Sequence, residues 1–196
     1  PSTNINFTFG HELGVAPSLV IYKHTAVSGN WQTYHRSGGG NNYNLNGTAG
    51  PANSGTWSGL DPTSTLITIP SGIVSANSSA FVCYAFSPVA GYSSMGSWTA
   101  AAPPVFVYTG FRPAFLLAKS TTTANPWYIR DNKRSAVGNG NPTQYTLFPN
   151  NSDAERDDFF DYIDFVSNGF VIRAGSGGFT NAGTVIYYAV AESPFA

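Results

Sequence analysis

Apolar and polar residues alternate in short runs along this chain, and clusters of Gly, Pro, Ser, Thr and Asn separate the runs. Residues 5–9 (INFTF) and 31–36 (WQTYHR) follow the two-residue period of half-buried strands. Pro17 leads into the apolar stretch 18–23, which is expected to pair with WQTYHR as a hairpin around the loop HTAVSGN. Residues 66–69 (LITI) and 80–87 add two strands, the second apolar enough to lie centrally in a sheet. Residues 37–59 are rich in Gly, Asn and Ser, yet Tyr43, Leu45 and Trp57 predict a short strand and anchored ends. Further strands are expected at 105–108, 115–119, 127–130, 145–148, 169–173 and 184–190. A helix is expected only near 153–165.

The second set of runs copies the first. Pro17, Lys23 and Trp31 recur 96 positions on as Pro113, Lys119 and Trp127, and APSLVIYK answers RPAFLLAK. The closing runs NSSAFVCYAFS and NAGTVIYYAVA match at a shift of 104, so the second copy carries about eight extra residues in its middle. The reading is a tandem duplication: 1–98 as the first β unit, 99–104 as an Ala/Pro linker and 105–196 as the second β unit. The fold class expected is all-β, an antiparallel β-sandwich of jelly-roll or lectin-like type built from two pseudo-repeated units.

Composition sharpens this picture. Charged residues are 10% of the 196, against roughly 25% in ordinary soluble domains. Aromatic residues reach 15%, ample for a core and contrary to disorder. The net charge of −1 excludes a strong field toward nucleic acid or anionic membrane. No run of 18 apolar residues occurs, which predicts no membrane insertion, and no signal-peptide pattern is seen. A surface so poor in charge is expected to be covered by hydroxyls, amides and aromatics, or to be buried against partners, so a homo-oligomer is expected. Cys83, the single cysteine, sits in an apolar run and reads as a core thiol.

Candidate chemistry is sparse. No HExxH, GxSxG, phosphate-binding Gly-Lys-Ser/Thr loop or CxxC occurs, and no pair of carboxylates stands out for glycoside hydrolysis, so no enzyme is expected. Sugar faces stack on aromatic rings while amides and hydroxyls take the sugar hydroxyls, which makes carbohydrate binding the more reasonable activity. Trp57 and Trp98 lie in polar, Gly/Ser-rich surroundings and are expected to be exposed for that task, with Tyr34 and His35 as further candidates. Trp31 and Trp127 recur in both copies and read as core or half-buried. The segment DAERDDFFDYIDF offers Asp157, Asp158 and Asp161 as calcium candidates, but its spacing fits no EF-hand. A solvated acidic face is the plainer reading, and no cofactor is otherwise expected. Arg112, set between Gly110-Phe111 and Pro113, is read as pairing with Asp131 or with a carboxylate of the neighbouring unit.

Several phrases taken together point further: LGVAPSLVIYK, FVCYAFSPVAGYSSMGSW, FVYTGFRPAFLLAK, DFVSNGF and IYYAVAESPF. In this order they resemble a domain of unknown function that recurs in tail and other virion proteins of tailed phages, marine phages especially. The resemblance covers about residues 10–195, and the hinge phrase GYSSMGSW is its most specific part. It implies a structural or host-recognition module on a virion, as part of a tail fibre, spike or capsid surface, with a trimer expected by analogy. Partners would be other virion proteins and host surface glycans. The chain departs in Ser94-Met95, where the family tends to Lys-Phe, in AAAPP, where it tends to a Gly/Asn/Asp-rich linker, and in the acidic insertion.

Overall fold

The computed structural model describes residues 6–26, 28–52, 54–71, 80–134, 141–157, 162–173, 179 and 183–195. Among them the chain is all-β, with antiparallel sheets packed in sandwich fashion and one short 3-10 turn at Arg36–Gly38. It divides into two compact units, Pro1–Asn46 with Pro51–Ser87, and Gly47–Gly50 with Pro88–Ala196.

The first unit packs two sheets. One holds β1 (Phe7–Gly10) against β5 (Leu66–Ile69). The other runs β4 (Asn42–Asn44), β3 (Gln32–His35), β2 (Leu19–His24), β6 (Phe81–Phe86). Alternation sends Val20, Tyr22 and Tyr34 inward from one sheet and Ile67 and Ile69 from the other, with Trp57 filling the space between them.

The second unit also packs two antiparallel sheets and is larger. Its four-stranded sheet is β10 (Trp127–Asp131), β9 (Pro113–Ser120), β15 (Thr184–Ala191), β7 (Ser93–Thr99), and it faces β13 (Ile163–Val166), β14 (Gly169–Ile172), β8 (Val105–Tyr108). A small ladder joins β11 (Tyr145–Thr146) to β12 (Arg156–Asp157). The core takes Leu116, Ala118, Tyr128, Val185 and Tyr187 from the first sheet and Val107, Ile163, Phe165, Phe170 and Ile172 from the second.

The shifts read from the sequence also relate the pairings. Tyr22 stands opposite Gln32, and Ala118, 96 positions on, stands opposite Tyr128. Lys23 faces Val82 as Lys119 faces Ile186, with shifts of 96 and 104. Even a loop contact repeats: the Trp31 amide donates to Asn46 Oδ1 at 2.9 Å, and the Trp127 amide to Asn150 Oδ1 at 2.8 Å.

Two places differ from expectation. The strand β7, placed by sequence at the end of the first unit, hydrogen-bonds along its length to β15 and belongs to the second, so the boundary falls between Ser87 and Pro88. The helix expected near 153–165 is replaced, at its described ends, by strands β12 and β13. Ile163 and Phe165 alternate inward and pair with β14, and that burial favours a strand here.

Gly169 opens β14 against β8 so closely that a Cβ there would lie 2.1 Å from the Val107 carbonyl oxygen. Backbone cannot yield as a flexible side chain does, so Gly169→Ala is expected to destabilise the second unit by about 2 kcal/mol. Urea titration followed by circular dichroism checks this. An unshifted midpoint would mean that the two strands separate freely at this point.

Candidate functional site

The sequence candidates for sugar stacking are buried. Trp57 is 0% exposed, held by Tyr34 at 4.7 Å and Tyr22 at 6.0 Å between ring centroids. Trp98 is 7% exposed and packs on Phe170, Phe179 and Tyr187. The expectation of exposure fails because polar sequence neighbours do not govern where a side chain points. Trp57 sits in a loop folded back over the core, its amide donating to the Gly40 carbonyl at 2.8 Å, and Trp98 is an inward position of β7. Tyr34 is also buried, and its hydroxyl donates to Asp61 at 2.8 Å; burial, then the Asp61 carboxylate, pushes the phenol well above its ordinary range. His35 is buried and caps the 3-10 turn, its Nδ1 accepting from the Ser37 amide at 3.2 Å.

The Arg112 and Asp131 readings also change. The Arg112 Nε lies 2.8 Å from Glu192 Oε2, while Asp131 pairs with Arg134, and all four residues belong to the second unit. Partial burial opposes ionisation of Asp131, but the Arg134 guanidinium and the Lys133 and Arg134 amides hold its carboxyl below the usual range. Of the calcium candidates, Asp157 is exposed on β12 and accepts from Gln144 Nε2 at 3.3 Å. Asp158 and Asp161 lie outside the described residues. Among the described residues no group of three or more His, Cys, Asp or Glu side chains gathers for a metal, and no helix is long and apolar enough to cross a membrane.

What the second unit does assemble is a polar pocket of about 240 Å³, lined by Gly91, Gly110, Phe111, Arg112, Ser167, Glu192 and Ser193. Its walls are turns fixed by backbone bonds. The Thr109 and Gly110 amides both donate to the Asn168 carbonyl, the Glu192 amide to Arg112 O at 2.8 Å, and the Phe195 amide to Gly91 O at 3.1 Å. Gly110 at φ +85° and Gly91 at φ +72° supply the left-handed turns. Asn132 Nδ2 donates to Glu192 Oε1 at 2.6 Å, so the carboxylate is held from two sides. Beside it Tyr92 and Phe195 stack at 5.9 Å and 14°, with Phe195 74% exposed. A fixed guanidinium, a carboxylate and two hydroxyls suit the hydroxyl and carboxyl groups of a small polar ligand. Among the described lining residues Glu192 is the one carboxylate.

A family model described as a domain of unknown function (DUF7483) matches residues 1–194. The chain belongs to the DUF7483 family. Neither a curated protein sequence nor a solved structure matches it. In this DUF7483 chain the pocket gathers residues from four stretches that the sequence analysis had singled out: Gly91 of the hinge phrase, Gly110–Arg112 of YTGFRP, Ser167 of DFVSNGF and Glu192-Ser193 of AESPF. Glu192 and Asn132 carry no motif of their own; the signal that finds Glu192 is its place in the closing phrase. At the shifts of 96 and 104, Arg112 matches Ala16 and Glu192 matches Pro88, so the sequence match carries no second copy of the ion pair.

Proposed function

We propose that this DUF7483 chain is a non-enzymatic structural module of a tailed-phage virion, carried on a tail fibre, spike or capsid surface and serving host-surface attachment. The family resemblance of its hinge and closing phrases supports the virion setting. The observation that carries the structural role is the outward display of large apolar side chains on a chain with so few charges. On β8, Phe106 (50% exposed) and Tyr108 (66% exposed) flank buried Val107; the first unit shows Phe7, Leu13, Val15, Leu66 and Tyr84. Such surfaces are what subunits bury on assembly.

Light scattering on a sizing column tests this reading. A stable trimer or larger assembly is expected. A clean monomer near 20.8 kDa at high concentration would overturn it. That result would favour a second reading, a carbohydrate-binding sandwich that recognises host glycans. The pocket at Arg112 and Glu192 beside the Tyr92–Phe195 stack favours it, as does the exposed Tyr84 stacked on half-buried Trp31 at 6.4 Å.

A further inference from the structure

The two four-stranded sheets share three strands in register but differ in the fourth. In the second unit, β15 is paired on both sides, by β9 and β7. Its counterpart β6 is paired by β2 alone among the described residues. The Thr25 amide donates to the Ala80 carbonyl at 3.0 Å, which sets the alternation of the ladder. Val82, Tyr84 and Phe86 therefore bond toward β2, while the backbone groups of Phe81, Cys83 and Ala85 face the open edge. The counterparts of these three, Val185, Tyr187 and Ala189, bond toward β7.

Burial records the same difference. Val185, Tyr187 and Ala189 are buried, whereas Phe81, Cys83 and Ala85 remain half-buried. Phe7, Phe9, Phe81 and Cys83 line an apolar hollow of about 180 Å³. Shifted by 98 on β1 and 104 on β6, these four become Val105, Val107, Val185 and Tyr187. There the matching space is filled: Trp98 of β7 stands opposite Val185, packs on Tyr187, and shares one apolar cluster with all four. Among the described residues, a strand edge without a partner and an apolar hollow thus coincide.

We propose that the β6 edge of the first unit accepts an antiparallel strand donated by another polypeptide, with a bulky aromatic side chain entering the hollow as Trp98 does in the second unit. The donor pattern is that of β7: small polar residues, a glycine opposite the Cys83 position, and an aromatic residue two positions further on. Gly96 fills the glycine role beside Tyr187, where a Cβ would meet the ring at 3.0 Å. Among the described residues, Trp31, Trp57 and Trp127 occupy other places in the two units. Backbone pairing along an edge supplies affinity and the side-chain hollow supplies selectivity. The inference holds whether or not the chain serves in a virion.

Cys83 gives the test, because it is the only cysteine and lines the hollow. A peptide of residues 91–100, GYSSMGSWTA, is added to the full chain and alkylation of Cys83 is timed. Saturating peptide is expected to slow alkylation about tenfold. A peptide with Trp98→Ala should not, nor should one with sarcosine for Gly96, whose N-methyl group removes the amide that bonds to the edge. Peptide exchanging into the second unit would leave Cys83 unprotected, so an unchanged rate overturns the proposal. Equal slowing by all three peptides overturns it too, as does protection that grows with protein concentration alone, which would make a second copy the occupant. Assembly through Phe106 and Tyr108 of the second unit, by contrast, raises the mass without protecting Cys83.

Discussion

Trp57→Ala is expected to destabilise the first unit by about 4 kcal/mol, the range of a fully buried tryptophan truncated in a core. The indole is 0% exposed and touches Tyr22 and Tyr34, and it is the largest side chain in a cluster that also holds those two tyrosines, Val20, Ile67 and Ile69. Its Nε1 lies 3.5 Å from Asn42 Oδ1, which Tyr22 also approaches at 3.4 Å, so truncation removes packing and a donor to a buried amide together. The loop that carries it is tied through the Trp57 amide to Gly40 and through the Leu60 amide to the Trp57 carbonyl. Half-buried Trp31, whose ring rests on exposed Tyr84, is the control: Trp31→Ala is expected to lose about 1 kcal/mol. Guanidinium titration of both variants by circular dichroism decides. If Trp57→Ala unfolds at the same midpoint as the parent chain, the ring is not a core element and a surface role for it returns.

That contrast shows what the chain's pattern reveals and what it hides. Strands with alternating or apolar runs were legible, because burial of one face imposes a period of two. The repeated spacing was legible, and the pairing of Tyr22 with Gln32 and of Ala118 with Tyr128 keeps it, since a register slip of one would turn every inward side chain outward. Trp57 was not legible, because GTWSG has no period, and a loop that folds back over a core leaves no local trace of doing so. Strand β7 was hidden for a related reason. Ser93–Thr99 is polar along most of its length and buries only Ser93 and Trp98, so its side chains resemble a turn while its backbone completes a sheet. The stretch 153–165 misled in the opposite direction: a helix was expected there, but Ile163 and Phe165 had a strand partner to bury against. At the pocket, Arg112 and Glu192 each stood in a singled-out phrase, whereas their pairing depended on which turns met in space.

Lys119→Ala is expected to destabilise the second unit by about 3 kcal/mol at pH 7, and the loss is expected to grow as pH rises toward 10. The lysine is fully buried, its Nζ donating to Asn125 O at 2.7 Å and Thr48 O at 3.1 Å. Its copy Lys23 makes the equivalent bond, to Gly29 O at 2.9 Å, from a half-buried position. Burial pushes the Lys119 ammonium down from 10.5 to about 8. Carrying the charge at neutral pH therefore costs the folded state about 2 kcal/mol after screening by nearby water. Against that stand two charge-assisted bonds of about 1.5 kcal/mol or more each and a buried aliphatic stem worth about 0.8 kcal/mol per methylene, so the attractive side wins. The pH dependence follows from the direction of the shift. Between pH 8 and 10.5 the unfolded chain holds a proton that the folded chain has released, so this lysine's contribution to stability rises with pH across that window. The alanine variant lacks the rise, and the gap between the two chains should widen by about 2 kcal/mol from pH 7.5 to 10. Lys23→Ala, with its head nearer water, should lose about 1 kcal/mol at pH 7.5. Paired urea titrations at pH 7.5, 9 and 10 measure it. A gap that stays flat across these values would mean that the ammonium reaches water, and the repeated lysine would then act through its stem and its loop contact alone.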